Sequence, residues 1–208
     1  DNCTRDKAST ATCPVTGDNR EGIHINSSTS VTLVLYDQDK SGDHKDNAFV
    51  VGSFNNWKLS NNYQMKYDGN AHCWWITLDN LTPGTQTFEY YVYSKRDGGD
   101  FLCDPYSEAV LESGVDSDFP KGAQGHYVSV VNTIPQDYSW QVSDFKMNNV
   151  KNPVIYELLL RDFTDQGTLA GALQKLDYLK ALGVDAIELM PVQEFTSNDS
   201  WGYNTGMY

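Results

Sequence analysis

Residues 152–208 switch between two kinds of hydrophobic periodicity, and that switch constrains the fold more than any other feature of the chain. Val154-Ile-Tyr-Glu-Leu-Leu-Leu160 is a short apolar run of strand length. Leu169, Leu173, Leu176, Leu179 and Leu182 then recur at the three-to-four spacing that aligns them on one face of a helix running from Leu169 to Leu182. Thr168 can cap its start and Gly183 can end it in a left-handed turn. Ala186-Ile-Glu-Leu-Met-Pro191 reads as a second strand, and an aromatic loop, Trp201-Gly-Tyr-Asn204, follows. A strand, a helix and a strand form one βαβ unit.

A closed (β/α)8 barrel needs eight such units and about 250 residues. Only 58 of the 208 residues follow Val150, so the sequence is expected to hold an incomplete barrel fragment and to stop before the barrel closes.

The preceding sequence has a different grammar. Val31-Thr-Leu-Val-Leu-Tyr36, Ala48-Phe-Val-Val51, Cys73-Trp-Trp-Ile-Thr-Leu78, Thr87-Phe-Glu-Tyr-Tyr-Val-Tyr93 and Gly125-His-Tyr-Val-Ser-Val-Val131 are short runs of β-formers. Turn clusters such as Tyr67-Asp-Gly-Asn70 and Thr82-Pro-Gly84 separate them. The chain therefore reads as mainly β, with an immunoglobulin-like β-sandwich over residues 29–131. Residues 1–28, rich in Thr, Ser, Asp and Asn, read as an irregular arm, residues 132–151 as a linker, and residues 152–208 as the βαβ unit. Trp74 and Trp75 are adjacent on one strand and must point to opposite faces, so one of them is expected beneath a loop or at the junction with the C-terminal segment.

Composition excludes several partners. With 28 acidic and 15 basic residues the formal charge is −13, which repels nucleic acid and anionic membranes. No run of eighteen apolar residues exists to span a bilayer. Asp1-Asn2-Cys3 resembles a processed or engineered start that neither shows nor excludes export, and the location is unknown, with a periplasmic, cell-surface or secreted one slightly favoured over a cytoplasmic one. Cys3, Cys13, Cys73 and Cys103 have no zinc spacing. They permit two disulfides, of which 3 with 13 and 73 with 103 close the most local loops, but buried free thiols are equally ordinary. Asp37, Asp39, Ser41 and Asp43 alternate like the first half of a calcium loop, although Ala48 stands where a bidentate Glu would belong. A polar hairpin loop is the better reading, and no cofactor is expected.

Gly52-Ser-Phe-Asn-Asn-Trp57, Leu81-Thr-Pro-Gly84, Phe88-Glu-Tyr-Tyr-Val92 and Asp104-Pro105 resemble, in order and spacing, the family-48 carbohydrate-binding modules that precede many α-glucan enzymes. The resemblance implies that Trp57 stacks on sugar. Glu89 stands where glucan-binding members carry a lysine, and the region of Phe101 and Leu102 stands where they carry a second tryptophan. A structural module whose Trp57 packs on its own loop is therefore the alternative.

Ile155-Tyr-Glu-Leu-Leu-Leu-Arg-Asp-Phe-Thr164, Leu176-Asp-Tyr-Leu-Lys-Ala-Leu-Gly-Val-Asp-Ala-Ile-Glu-Leu-Met-Pro-Val192 and Trp201-Gly-Tyr-Asn204 resemble the first strand, first helix, second strand and following loop of the α-amylase superfamily. They are most similar to its pullulanase, isoamylase and branching-enzyme branch. The resemblance implies a glycoside hydrolase acting on α-glucans such as starch or glycogen, with Tyr203 as the floor of the subsite holding the cleaved sugar and Trp201 beside it. Thr205 replaces the usual proline after the motif.

Retaining hydrolysis needs two carboxylates about 5–5.5 Å apart. In the family these come from strands four and five, with a third acid from strand seven, none of which this sequence contains. Glu157 and Glu188 are poor substitutes, one near the start of its strand and one in mid-strand. The chain is thus expected to be the N-terminal portion of an α-glucan-active enzyme, inactive by itself. The alternative is a non-catalytic glucan-binding or spacer module. Expected partners are an α-glucan, the remainder of the barrel and, through residues 152–208, a second copy of the chain.

Overall fold

The computed structural model describes residues 6–37, 44–134, 136–147, 151–195 and 200–207. The chain divides into two compact units, Asp1–Asp137 and Tyr138–Tyr208.

Among its described residues the first unit has nine strands: β1 (Gly22–Ser27), β2 (Ser30–Tyr36), β3 (Asn47–Gly52), β4 (Lys66–Asp68), β5 (Cys73–Leu78), β6 (Thr85–Ser94), β7 (Gly98–Leu102), β8 (Ala109–Glu112) and β9 (Tyr127–Asn132). One antiparallel sheet has the order β1-β2-β5-β4, and the other β3-β6-β9-β8 with β7 also paired to β6. The period-two alternation of the strands decides what lies between the sheets. Val31, Leu33 and Leu35 of β2 and Trp74, Ile76 and Leu78 of β5 share one core with Ala48 and Val50 of β3, Phe88, Tyr90 and Val92 of β6, and Val131 of β9. Tyr90 is fully buried and its hydroxyl donates to Asp104 Oδ2 at 2.6 Å, which satisfies both polar groups inside the core.

The opposite face of β2 and β5 is covered too. Val34, Cys73 and Trp75 form a second buried cluster with Cys13, against which Ala11 and Val15 pack. Trp74 and Trp75 thus enter different clusters, as the alternation requires. Burial of an apolar side chain of this class is worth about 2–3 kcal/mol, so the N-terminal segment gains a firm seat there.

This corrects the expectation of an irregular arm over residues 1–28. Gly22–Ser27 forms β1, which pairs with β2 through Ile23↔Leu33 and Ile25↔Val31, with a bulge between Ile25 and Ser27. Thr10 bridges Tyr67 in parallel sense, and Tyr67 N donates to Ser9 O while Ala11 N donates to Tyr67 O. Thr10 lies in a polar stretch recruited by the backbone of a neighbouring strand, whereas β1 carries a short Ile23, Ile25 alternation whose Ile23 packs on the core. Of the disulfide pairing by local loops, 73 with 103 is not found and 3 with 13 involves a residue outside the described ones. Cys13, Cys73 and Cys103 are unbridged, and Cys73 lies beside Cys13 rather than Cys103, while Cys3 lies outside the described residues.

In the second unit, β10 (Ile155–Leu158) and β11 (Ala186–Leu189) pair in parallel, Ile155↔Ala186 through Leu158↔Leu189. Between them lie α1 (Leu160–Phe163), α2 (Leu169–Leu173) and α3 (Leu176–Ala181). The Thr168 side chain caps α2 by accepting from Gly171 N. The single helix expected from Leu169 to Leu182 is broken at Gln174 and Lys175, whose amides reach Gly171 O and Ala172 O in tighter i−3 turns. Gly183 ends α3 at φ +79°, with Gly183 N on Lys180 O and Val184 N on Leu179 O, the two bonds of a Schellman motif. No helix among the described residues is long and apolar enough to cross a membrane.

Candidate functional site

The loop after β11 holds the most exposed aromatic pair of the second unit that the sequence singled out. Ser200 and Trp201 both adopt left-handed backbone, at φ +53° and +52°. Gly202 follows at φ +86° and is buried, and a Cβ there would come within 2.7 Å of Pro191 O, so only glycine lets the loop close on the end of the strand. Tyr203 N returns to Ser200 O, while Phe195 bridges Thr205 and Gly206 N donates to Glu194 O at 2.8 Å. The rings themselves stay open: Trp201 is 58% and Tyr203 60% exposed.

Tyr203 is tethered from below. Its hydroxyl donates to Glu157 Oε1 at 3.1 Å, and Glu157 lies opposite Glu188 in the parallel register. The Glu157 carboxylate, by accepting that proton, pushes the Tyr203 hydroxyl above its ordinary range, with burial and the Glu188 charge adding in the same direction. Sequence reasoning treated Glu157 only as a weak catalytic substitute and missed it as the partner of Tyr203. The available signal was register: matched acids on neighbouring parallel strands face the same side of the sheet.

In the first unit, Trp57 closes the turn after β3, with Asn56 and Trp57 both left-handed and Trp57 N donating to Gly52 O. It is half-buried, and Gly122 lies so close that a Cβ there would sit 2.7 Å from the Trp57 Cβ and Cγ. Glu89 holds this covering loop. Completely buried in β6, it accepts from Gln124 N at 2.9 Å and Gly125 N at 2.8 Å. Burial raises its carboxyl above the ordinary range, partly offset by those two amides. Phe101, in the region of the missing second tryptophan, packs on Tyr91 with centroids 4.8 Å apart.

Asp37 is hydrogen-bonded within the first unit. Its Oδ1 accepts from Trp74 Nε1 at 2.8 Å and Lys45 N at 2.9 Å, and its Oδ2 meets His44 Nδ1 at 3.0 Å. Asp39, Ser41 and Asp43 lie outside the described residues, among which no group of three His, Cys, Asp or Glu is placed to hold a metal.

Residues 121–208 match the alpha amylase catalytic domain family. Malto-oligosyltrehalose trehalohydrolase of Saccharolobus solfataricus is 34% identical over 146 residues, covering 70% of this chain and 22% of that protein. Chloroplastic isoamylase 1 of Arabidopsis thaliana is 35% identical over 124 residues, covering 52% of this chain and 15% of that protein. The chain therefore spans less than a quarter of the length of these relatives. The fold is similar to that of a Paenibacillus barengoltzii pullulanase solved with maltohexaose and α-cyclodextrin, with a TM-score of 0.61 at 20% identity over 88% of this chain and 28% of that one. By motif and family match together, residues 121–208 carry the start of an alpha amylase catalytic domain.

Proposed function

We propose that these residues form the N-terminal portion of an α-glucan-active hydrolase of the pullulanase or isoamylase type. In that reading an immunoglobulin-like β-sandwich precedes the first βαβ unit of a (β/α)8 barrel, and the hydrolytic carboxylates lie on strands beyond those present. The observation that carries it is Tyr203: an open ring on the loop that follows a parallel strand, fixed by Glu157 from below. Loops after barrel strands build the active face, and a tyrosine ring offers an apolar plane to the C–H face of a sugar. Trp201 would extend that surface. The half-buried Trp57 and buried Glu89 support a structural role for the sandwich over a glucan-binding one.

Stacking beneath the reacting sugar helps hold its distorted ring, so its loss falls on the chemical step. In the enzyme carrying the whole barrel, Tyr203→Ala should lower kcat on pullulan or amylose by roughly tenfold or more while KM changes less. A variant with wild-type kcat and only a raised KM would remove Tyr203 from the subsite of the cleaved sugar.

A further inference from the structure

The fold assembles a cysteine pair that the spacing of the sequence did not favour. Cys13 and Cys73 are 3% and 0% exposed and share the cluster on the outer face of β2 and β5 with Val34 and Trp75. Three contacts fix Cys13 there. Its own amide donates to Asp68 Oδ2 at 2.7 Å, and Asp68 lies directly opposite Cys73 in the β4–β5 register. Two residues earlier, Ala11 O accepts from Trp75 Nε1 at 2.9 Å and Ala11 N donates to Tyr67 O. The two thiols are close enough to interact directly inside that cluster.

We propose that Cys13 and Cys73 are the two halves of an intramolecular disulfide that fastens the N-terminal segment to the β4–β5 hairpin, formed by exchange with a small-molecule or protein disulfide. The Cys13 thiolate attacks the oxidant RSSR, forming a mixed disulfide and releasing one RSH. The Cys73 thiolate then displaces the second RSH; the two thiol protons leave on the two RSH, and the two electrons pass to the oxidant. Burial first, and the neighbouring Cys13 second, push the Cys73 thiol up to about 12, so the closed pair is inert and exchange belongs to the folding chain or to a lifted segment. The same burial then shields the finished bond from reductants. An oxidising compartment suits such a bond.

The test is a peptide map of the protein equilibrated in reduced and oxidised glutathione, denatured and alkylated with N-ethylmaleimide. A Cys13–Cys73 linked peptide should accumulate as the ratio becomes more oxidising. The oxidised protein should melt roughly 5–10 °C above the reduced one, because a bridge over so long a loop constrains the unfolded chain. Cys103→Ser should keep that difference and Cys13→Ser abolish it. If Cys13→Ser fails to fold, the wild-type map alone decides. Recovery of both cysteines as alkylated thiols at the most oxidising ratio, or of Cys13 linked to Cys3, overturns the proposal.

Discussion

Asp68 organises more of the first unit than its place in a three-residue strand implies. Its carboxylate accepts from Cys13 N at 2.7 Å, Asn70 N at 3.0 Å and Ala71 N at 3.1 Å, so it fixes the N-terminal segment and the turn of the hairpin together. Those amides, Cys13 first, hold its carboxyl below the ordinary carboxylate range against the opposing effect of burial. A depressed folded-state value means stability that is present above the unfolded value, about 3.9, and is lost as pH falls through the folded one. Asp68→Ala should therefore cost about 2–3 kcal/mol in urea unfolding at pH 7. The deficit should shrink as pH drops below about 4. A deficit that stays constant into acid would mean that Asp68 contributes packing rather than charge. Asp68 was legible in the sequence only as part of a turn cluster, since its partners are 55 residues upstream and two or three downstream. The same distance hid the Cys13–Cys73 pair and the Tyr203–Glu157 bond, because spacing along a chain reports local loops and not which segments a sheet edge recruits.

At the scale of elements, strands that carry their own apolar signal were legible, and those that borrow it were not. β2, β3, β5, β6 and β9 bury large residues in the core, and each was visible as a run of β-formers. β1, β4, β7 and β8 are short, polar or glycine-containing strands paired at the margins, such as Gly98-Gly99-Asp100 in β7, and their partners define them. The helix was legible by its leucines but not by its break. Leu179 is buried at 2%, whereas Leu169, Leu173, Leu176 and Leu182 remain 44–65% exposed. An apolar stripe of that kind seeks cover. The 208-residue chain should therefore self-associate, or lose residues 152–208 early in limited proteolysis. Leu169→Gln with Leu173→Gln and Leu182→Gln should shift its elution toward the monomer. A wild-type chain that elutes as a clean monomer with a protease-resistant C-terminal segment would count against this.

For the whole molecule, the distribution of chemistry between the units decides what the chain can do alone. The first unit spends its acids on its own interior: Glu89 on the Gln124 and Gly125 amides, Asp104 on the Tyr90 hydroxyl, Asp68 on the Cys13 amide. The second presents an open Tyr203 above two acids that lie side by side on parallel strands. Hydrolysis with retention requires a nucleophile on one side of the scissile bond and a proton donor on the other, and the proposed function places that pair on strands beyond β11. Positioning without that pair yields a weak sugar site and no turnover. The 208-residue chain is therefore expected to release no reducing sugar from pullulan, starch or glycogen. Extension through the remaining barrel strands should restore activity, and Glu157→Gln in the extended enzyme should lower kcat by less than Tyr203→Ala, since it removes a tether and leaves the ring. Sugar release by the 208-residue chain above a heat-killed control, abolished by Glu188→Gln, would place the chemistry on these strands and refute the proposed division of labour.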